Sequence, residues 1–171
     1  MSKTIDLIFT PGAALPVKIA VAGFILWLLN VLFVALHEAG HAVVAACFGA
    51  EVFSIYISPA GYCGSTCYTV LSNVTEGNLV LAGGILATTI ATLIFSWLKL
   101  EFAVYVIGLR TIESLLNYSG GSDMAALTSW AGPSMYGVTF MLTVVTMLCV
   151  GKTAYESRLC EKRKAGALRA P

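Results

Sequence analysis

Charged side chains are scarce in this sequence. Asp, Glu, Lys and Arg together make up 11% of its 171 residues, 58% are hydrophobic, and the mean hydropathy is +0.85. Soluble domains carry about a quarter charged residues, so this balance excludes one and predicts an integral membrane protein embedded in the lipid bilayer. The formal net charge of +1 says little about partners, since what matters in a membrane protein is where the charges lie along the chain, and nucleic acid is not suggested. The opening stretch has Lys3 and Asp6 but no short apolar core followed by a small-residue cleavage site. A removable secretory signal is therefore not expected, and insertion begins at the first span. No internal repeat of 20 to 50 residues is visible, which excludes a solenoid. At about 20 apolar residues per span, the chain has room for a few spans in one domain.

The apolar runs come in order. From Ile19 to Phe48 only Asn30, His37, Glu38 and His41 interrupt a stretch that, if helical throughout, is about 45 Å long and must tilt, protrude or break. The segment Ala50 to Glu76 is mixed. Its strand-like Val52 to Ile57 leads into a turn region rich in Pro, Gly and Cys, and predicts a short hairpin beside the membrane. Asn78 to Leu98 fits a second span, with Ala82, Gly83, Gly84 and Ala87 allowing close helix approach. Leu100 to Leu116 is a shorter third candidate carrying Arg110 and Glu113, and Ala125 to Val150 is a fourth with Gly132 and Pro133 near its start. The expected architecture is an all-α integral membrane bundle of about four transmembrane helices, with three as the alternative and a β-hairpin between the first and second.

Residues 1–150 then form a single transmembrane domain and residues 151–171 a basic tail. That tail holds six of the ten Lys and Arg, whereas Glu51 to Gly77 and Asn117 to Ser122 hold none. Positive segments stay in the cytoplasm, so a multi-pass protein with both termini cytoplasmic is expected. Lys3 and Lys18 mark the N-terminal side, and Lys99 falls in an inner turn.

Chemistry concentrates in the first span, where His37, Glu38, Ala39, Gly40 and His41 form an H-E-x-x-H motif. Residues four apart share a helical face, so both imidazoles can reach one metal while Glu38 holds a water beside it. These are the only two histidines in the chain. Polar helix packing is the plain alternative, but an idle ionisable group in a bilayer costs several kcal/mol, roughly. Three such groups in five residues point to one Zn²⁺ ion, with Glu38 as the general base. A catalytic zinc site needs a third protein ligand and an open position for water. Asp123, Glu113, Glu76, Glu51 and Glu101 are the candidates. Depth favours Asp123, which sits at the outer start of the fourth span, and disfavours Glu101 at the opposite end. An N-cap for the fourth helix is the plain reading of Asp123.

These residues carry a resemblance. In Leu36 to Gly49, Leu81 to Ala87 and Ser122 to Leu127 the chain resembles small minimal-core members of the site-2 protease class of intramembrane metallopeptidases. There, an H-E-x-x-H helix is followed by a short sheet, a span with a small-residue motif, and an Asp at the head of a later span as third ligand. Gly84 stands where a proline is common, Thr88 or Thr89 where an asparagine is common, and Ser122-Asp123-Met124 replaces the usual Asp-Gly. The resemblance implies a zinc endopeptidase that cuts membrane-spanning segments of other proteins, and implies that Asn117 orients substrate backbone. A catalytically inactive protease-like protein that binds or scaffolds a partner is the alternative. The intact Glu38 argues for catalysis, and a metal transporter lacks the polar groups per span that an ion path needs.

Four further features have readings from the residues alone. The strand Val52 to Ile57, with Ile55 and Ile57, could pair with an unwound substrate segment. Arg110 and Glu113, three apart, form an ion pair, or else Arg110 serves the oxyanion. Cys63 and Cys67 are a disulfide pair or simply small soft residues, and C-x-x-x-C alone is a weak zinc pattern. Asn73-Val74-Thr75 and Asn117-Tyr118-Ser119 match the glycosylation pattern.

Overall fold

The structure is a computed structural model that describes residues 15–167, with side chains through residue 160. Lys3, Arg169 and the side chains of Lys162, Arg163 and Lys164, which entered the orientation argument, lie outside that description. Among the described residues the order is α1 (Leu15–Cys47), β1 (Val52–Ile57), β2 (Gly64–Tyr68), α2 (Val74–Trp97), α3 (Glu101–Leu116), α4 (Asp123–Ala131) and α5 (Ser134–Ala167).

Three helices are long and apolar enough to cross a membrane: α1, α2 and the Ser134–Cys160 part of α5. At 16 residues α3 is shorter than the roughly 20 that a crossing takes. The single fourth helix expected over Ala125 to Val150 is instead two helices. Gly132 adopts φ 64°, ψ −152° between them and Pro133 follows, and that left-handed turn strains any residue with a Cβ. By contrast α1 runs unbroken for 33 residues, about 50 Å, and α5 passes through Gly151 without interruption.

The interior mixes threonines with apolar side chains, and large apolar side chains also cover the outside. Thr88, Thr92, Thr111 and Thr146 are fully buried, while Phe24, Leu86, Ile90 and Phe140 are exposed. That is the arrangement a helix needs when its surroundings are lipid. Each of these four hydroxyls donates back to its own helix, as Thr92 does to the Thr88 carbonyl at 2.9 Å and Thr111 to that of Ile107 at 2.8 Å. Helices α1 and α2 touch backbone to backbone. A Cβ on Gly40 would fall on the Gly83 carbonyl oxygen and 2.7 Å from the Ala87 Cβ.

The antiparallel hairpin pairs Ile55 with Thr66 and Ile57 with Gly64. It folds back along the middle of α1. Trp27 Nε1 donates to the Pro59 carbonyl at 2.7 Å, and a Cβ on Gly61, at φ +72°, would sit 3.0 Å from the Val31 nitrogen. Gly64 rests on Val34 and Glu38. Two side-chain-free positions thus let the hairpin lie against the helix. Cys63 and Cys67 are free and exposed. They stand on one extended segment, about 13 Å apart at four residues of strand, beyond the roughly 7 Å reach of a disulfide. The disulfide reading is therefore corrected.

Candidate metal centre

His37 and His41 lie one turn apart on α1 with ring centroids 4.7 Å apart. Asp123 reaches them from α4. Its Oδ2 is 2.8 Å from His37 Nε2 and 3.2 Å from His41 Nε2. The helix start explains how this carboxylate comes to be available. Ser122, not Asp123, is the N-cap: its hydroxyl accepts from the Ala125 N–H at 3.2 Å and donates to the Asn117 carbonyl at 2.7 Å. The capping reading of Asp123 is thereby replaced. Met124 and Leu127 are buried with Ile85 and Leu115, which seats α4 against α2 and α3 and turns Asp123 toward α1.

Helix α2 completes the enclosure. His41 Nδ1 lies 2.7 Å from the Val80 carbonyl, which can only accept, so Nδ1 carries the proton and Nε2 of the neutral ring presents a lone pair. That lone pair faces the Asp123 oxygen. Two acceptors at 3.2 Å repel unless a cation or proton lies between them, so the arrangement suits a metal. The ligand atoms of the three residues all lie within 4.8 Å of one another. Tetrahedral ligands at about 2.0 to 2.1 Å would be separated by roughly 3.3 Å. His37, His41 and Asp123 therefore form a group that can bind a metal ion.

No known protein family, curated protein or solved structure matches the chain.

The site stands on its own geometry. Gly84 gives α2 its closeness: a Cβ there would be 2.6 Å from His41 Nε2 and 2.9 Å from His37 Cε1. Glu38 is buried at 5% exposure, and Thr66 Oγ1 on β2 lies 2.8 Å from its Oε2 and 3.0 Å from its backbone carbonyl. His37 Nδ1 is buried with no partner among the described residues. A cavity of about 680 Å³ opens over the three ligands and Glu38. Its walls are Tyr62 to Thr66 and Tyr68 on one side and Arg110, Glu113, Ser114 and Asn117 of α3 on another.

The remaining sequence candidates separate clearly. Glu113 pairs with Arg110 on the cavity wall, as the spacing predicted. Glu76 accepts from Ser72 and Asn73 at the head of α2, Glu51 is exposed, and Glu101 accepts from Ser157 near the far end of α5. None of these three joins the histidines. Asn117 does line the cavity, with its Oδ1 accepting from Ser119. Ile55 and Ile57 do not line it: Ile55 is exposed, and Ile57 packs against Phe33, Val34 and Ile107. The strand at the cavity is β2, so the assignment to β1 is corrected. Of the sequons, Asn73 is occupied as the N-cap of α2. Thr66 was missed because nothing distinguishes it from other threonines until the hairpin is laid on α1.

Proposed function

We propose that this chain is an intramembrane zinc endopeptidase of the site-2 protease class, hydrolysing peptide bonds in or near membrane-spanning segments of other proteins. One observation carries the reading: two imidazole nitrogens and one carboxylate oxygen converge beside a buried glutamate at the wall of a polar cavity. His37, His41 and Asp123 would hold the ion. Two histidines and a carboxylate, with one position left open, are a donor set suited to catalytic zinc. Bound zinc supplies a Lewis acid that acidifies a water toward neutrality and polarises a carbonyl.

The chain's own residues do the rest. Glu38 takes up a proton at its carboxylate as water attacks the scissile carbonyl, then delivers it to the departing amide nitrogen. The Thr66 hydroxyl holds that carboxylate in place. Strand β2 pairs with β1 along one edge only, and its Gly64, Ser65, Thr66 and Tyr68 line the cavity. Exposed backbone polar groups at membrane depth need water or another strand. A substrate segment unwound into an extended form satisfies them by pairing with β2, and exposes its peptide bonds, which a helix keeps shielded.

The test is metal content measured beside hydrolysis. Wild-type protein should purify with one zinc, and His37→Ala should lose it. Glu38→Gln should keep zinc while hydrolysis falls by roughly 10²- to 10⁴-fold. Full zinc in His37→Ala sinks the site, and full activity in Glu38→Gln replaces the protease with a scaffold.

A further inference from the structure

The mechanism above does not use Arg110, and its surroundings are unusual. It lies on α3 and lines the cavity, so its permanent charge sits where a bilayer would otherwise make it costly. The contact to Glu113 is made through Nη1 alone, and the Glu113 side chain is 65% exposed. That leaves the edge formed by Nε and Nη2, whose two parallel N–H bonds match a carboxylate bidentately. Nε is buried and meets no partner among the described residues. An unpaired buried N–H on a charged group forfeits more than a neutral one.

A second observation fixes where that edge lies. The guanidinium carbon is 5.3 Å from the centre of the Phe33 ring, and that ring is stacked on His37 at 6.0 Å. Arg110 is therefore at most about 11 Å from the His37 imidazole, no more than about three residues of extended chain. Phe33 is 6% exposed and packs against Val34 and Ile107, so the spacing is set by the core rather than by a mobile side chain. Across the cavity lies β2, against which a substrate strand would run. A group projecting from such a strand within about three residues of the cut bond comes to Arg110.

We propose that Arg110 is a specificity-determining residue that anchors a carboxylate of the bound peptide within about three residues of the scissile bond. This rests on the protease reading for the placement of the peptide, not for the anion chemistry. The carboxylate belongs either to an acidic side chain or to a free C-terminus. Both present two oxygens to the same fork.

Binding can be measured without hydrolysis, using full-length Glu38→Gln protein in lipid nanodiscs. The probes are fluorescent peptides of alanine and leucine carrying a single Glu at successive positions, each matched to a Gln peptide, with amidated and free C-termini. One register of Glu peptide should bind about tenfold or more tighter than its Gln partner. Arg110→Gln should abolish the difference while Gln peptides bind as before, and Arg110→Lys should retain only part of it, having charge without the fork. If the advantage follows the free C-terminus instead, that source of the carboxylate is chosen. Equal binding of Glu and Gln peptides in every register and of both terminal forms overturns the proposal, and this arm needs no Arg110 variant to fold. Discrimination in the Glu38→Gln protein together with no cleavage of any peptide by wild type would leave the anchor standing and remove the protease.

Discussion

Under the proposed reading, the Thr66 hydroxyl bears on catalysis and not on metal binding. Thr66 reaches Glu38 at 2.8 Å but touches none of the three metal-site residues. Thr66→Val keeps the shape of the side chain and removes one hydrogen bond to a charged group, worth about 1.5 kcal/mol or more. Zinc content should therefore be unchanged and hydrolysis should fall by about tenfold or more. Atomic absorption beside a cleavage assay measures both, and loss of zinc in this variant would show that Thr66 shapes the site as a whole. His37, Glu38 and His41 were legible in the sequence because ionisable groups inside an apolar run demand a purpose. Asp123 was legible only through depth. Thr66 and the Val80 carbonyl were not, since a backbone acceptor has no sequence signature and one threonine among many has no periodicity to mark it.

Between elements, the spacing of α1 and α2 is set by glycine. Gly84→Ala adds one methyl group whose carbon would lie 2.6 Å from both Cε1 and Nε2 of His41, far inside ordinary contact. The rings cannot retreat together, because His41 Nδ1 is tied to Val80 one turn earlier on the same helix. Overpacking of this kind costs about 1 to 3 kcal/mol, and the outlet here is displacement of the imidazoles from Asp123. The expected outcome is a folded protein with strongly weakened zinc affinity, read by titration against a competing chelator. Affinity equal to wild type would show that α2 can shift without disturbing the site. The small-residue stretch Ala82 to Ala87 announced a close helix contact in the sequence, but not that imidazoles were what it approached. The hairpin was legible as a hairpin, from its alternation and turn residues. Its position along α1 was not, because that rests on Trp27, Gly61 and Gly64, far apart in the chain. The break at Gly132 and Pro133 was visible too, yet hydropathy averages across such a point and merges α4 with α5.

Across the whole molecule the two ends of the bundle differ in charge. Ser96 lies 3.5 Å from Thr153, and Ser157 donates to Glu101 at 3.3 Å, so the turn between α2 and α3 shares one end with the later part of α5. That end carries Lys99, Lys152 and Arg158, whereas residues 51–77 and 117–122, at or leading to the metal site, carry no Lys or Arg. Helix α3 joins the two ends although its 16 residues measure only about 24 Å against a hydrocarbon core of about 30 Å. Were α3 to cross, so short a span would thin the bilayer locally, and its residues Arg110, Glu113, Ser114 and Asn117 border the cavity. Under the proposed reading, both would bring water to a site that consumes it. If α1, α2, α3 and α5 all cross, as the proposed reading requires, the positive-inside rule would put the Lys99 end in the cytoplasm and the metal cavity toward the opposite leaflet. In a chain otherwise free of cysteine, Cys160 should react with an impermeant maleimide only from the cytoplasmic side. Val70→Cys, at a position 98% exposed beyond β2, should react only from the other. Labelling of both from one side would mean that α3 does not cross, and water would then have to reach Glu38 by a route other than the short helix.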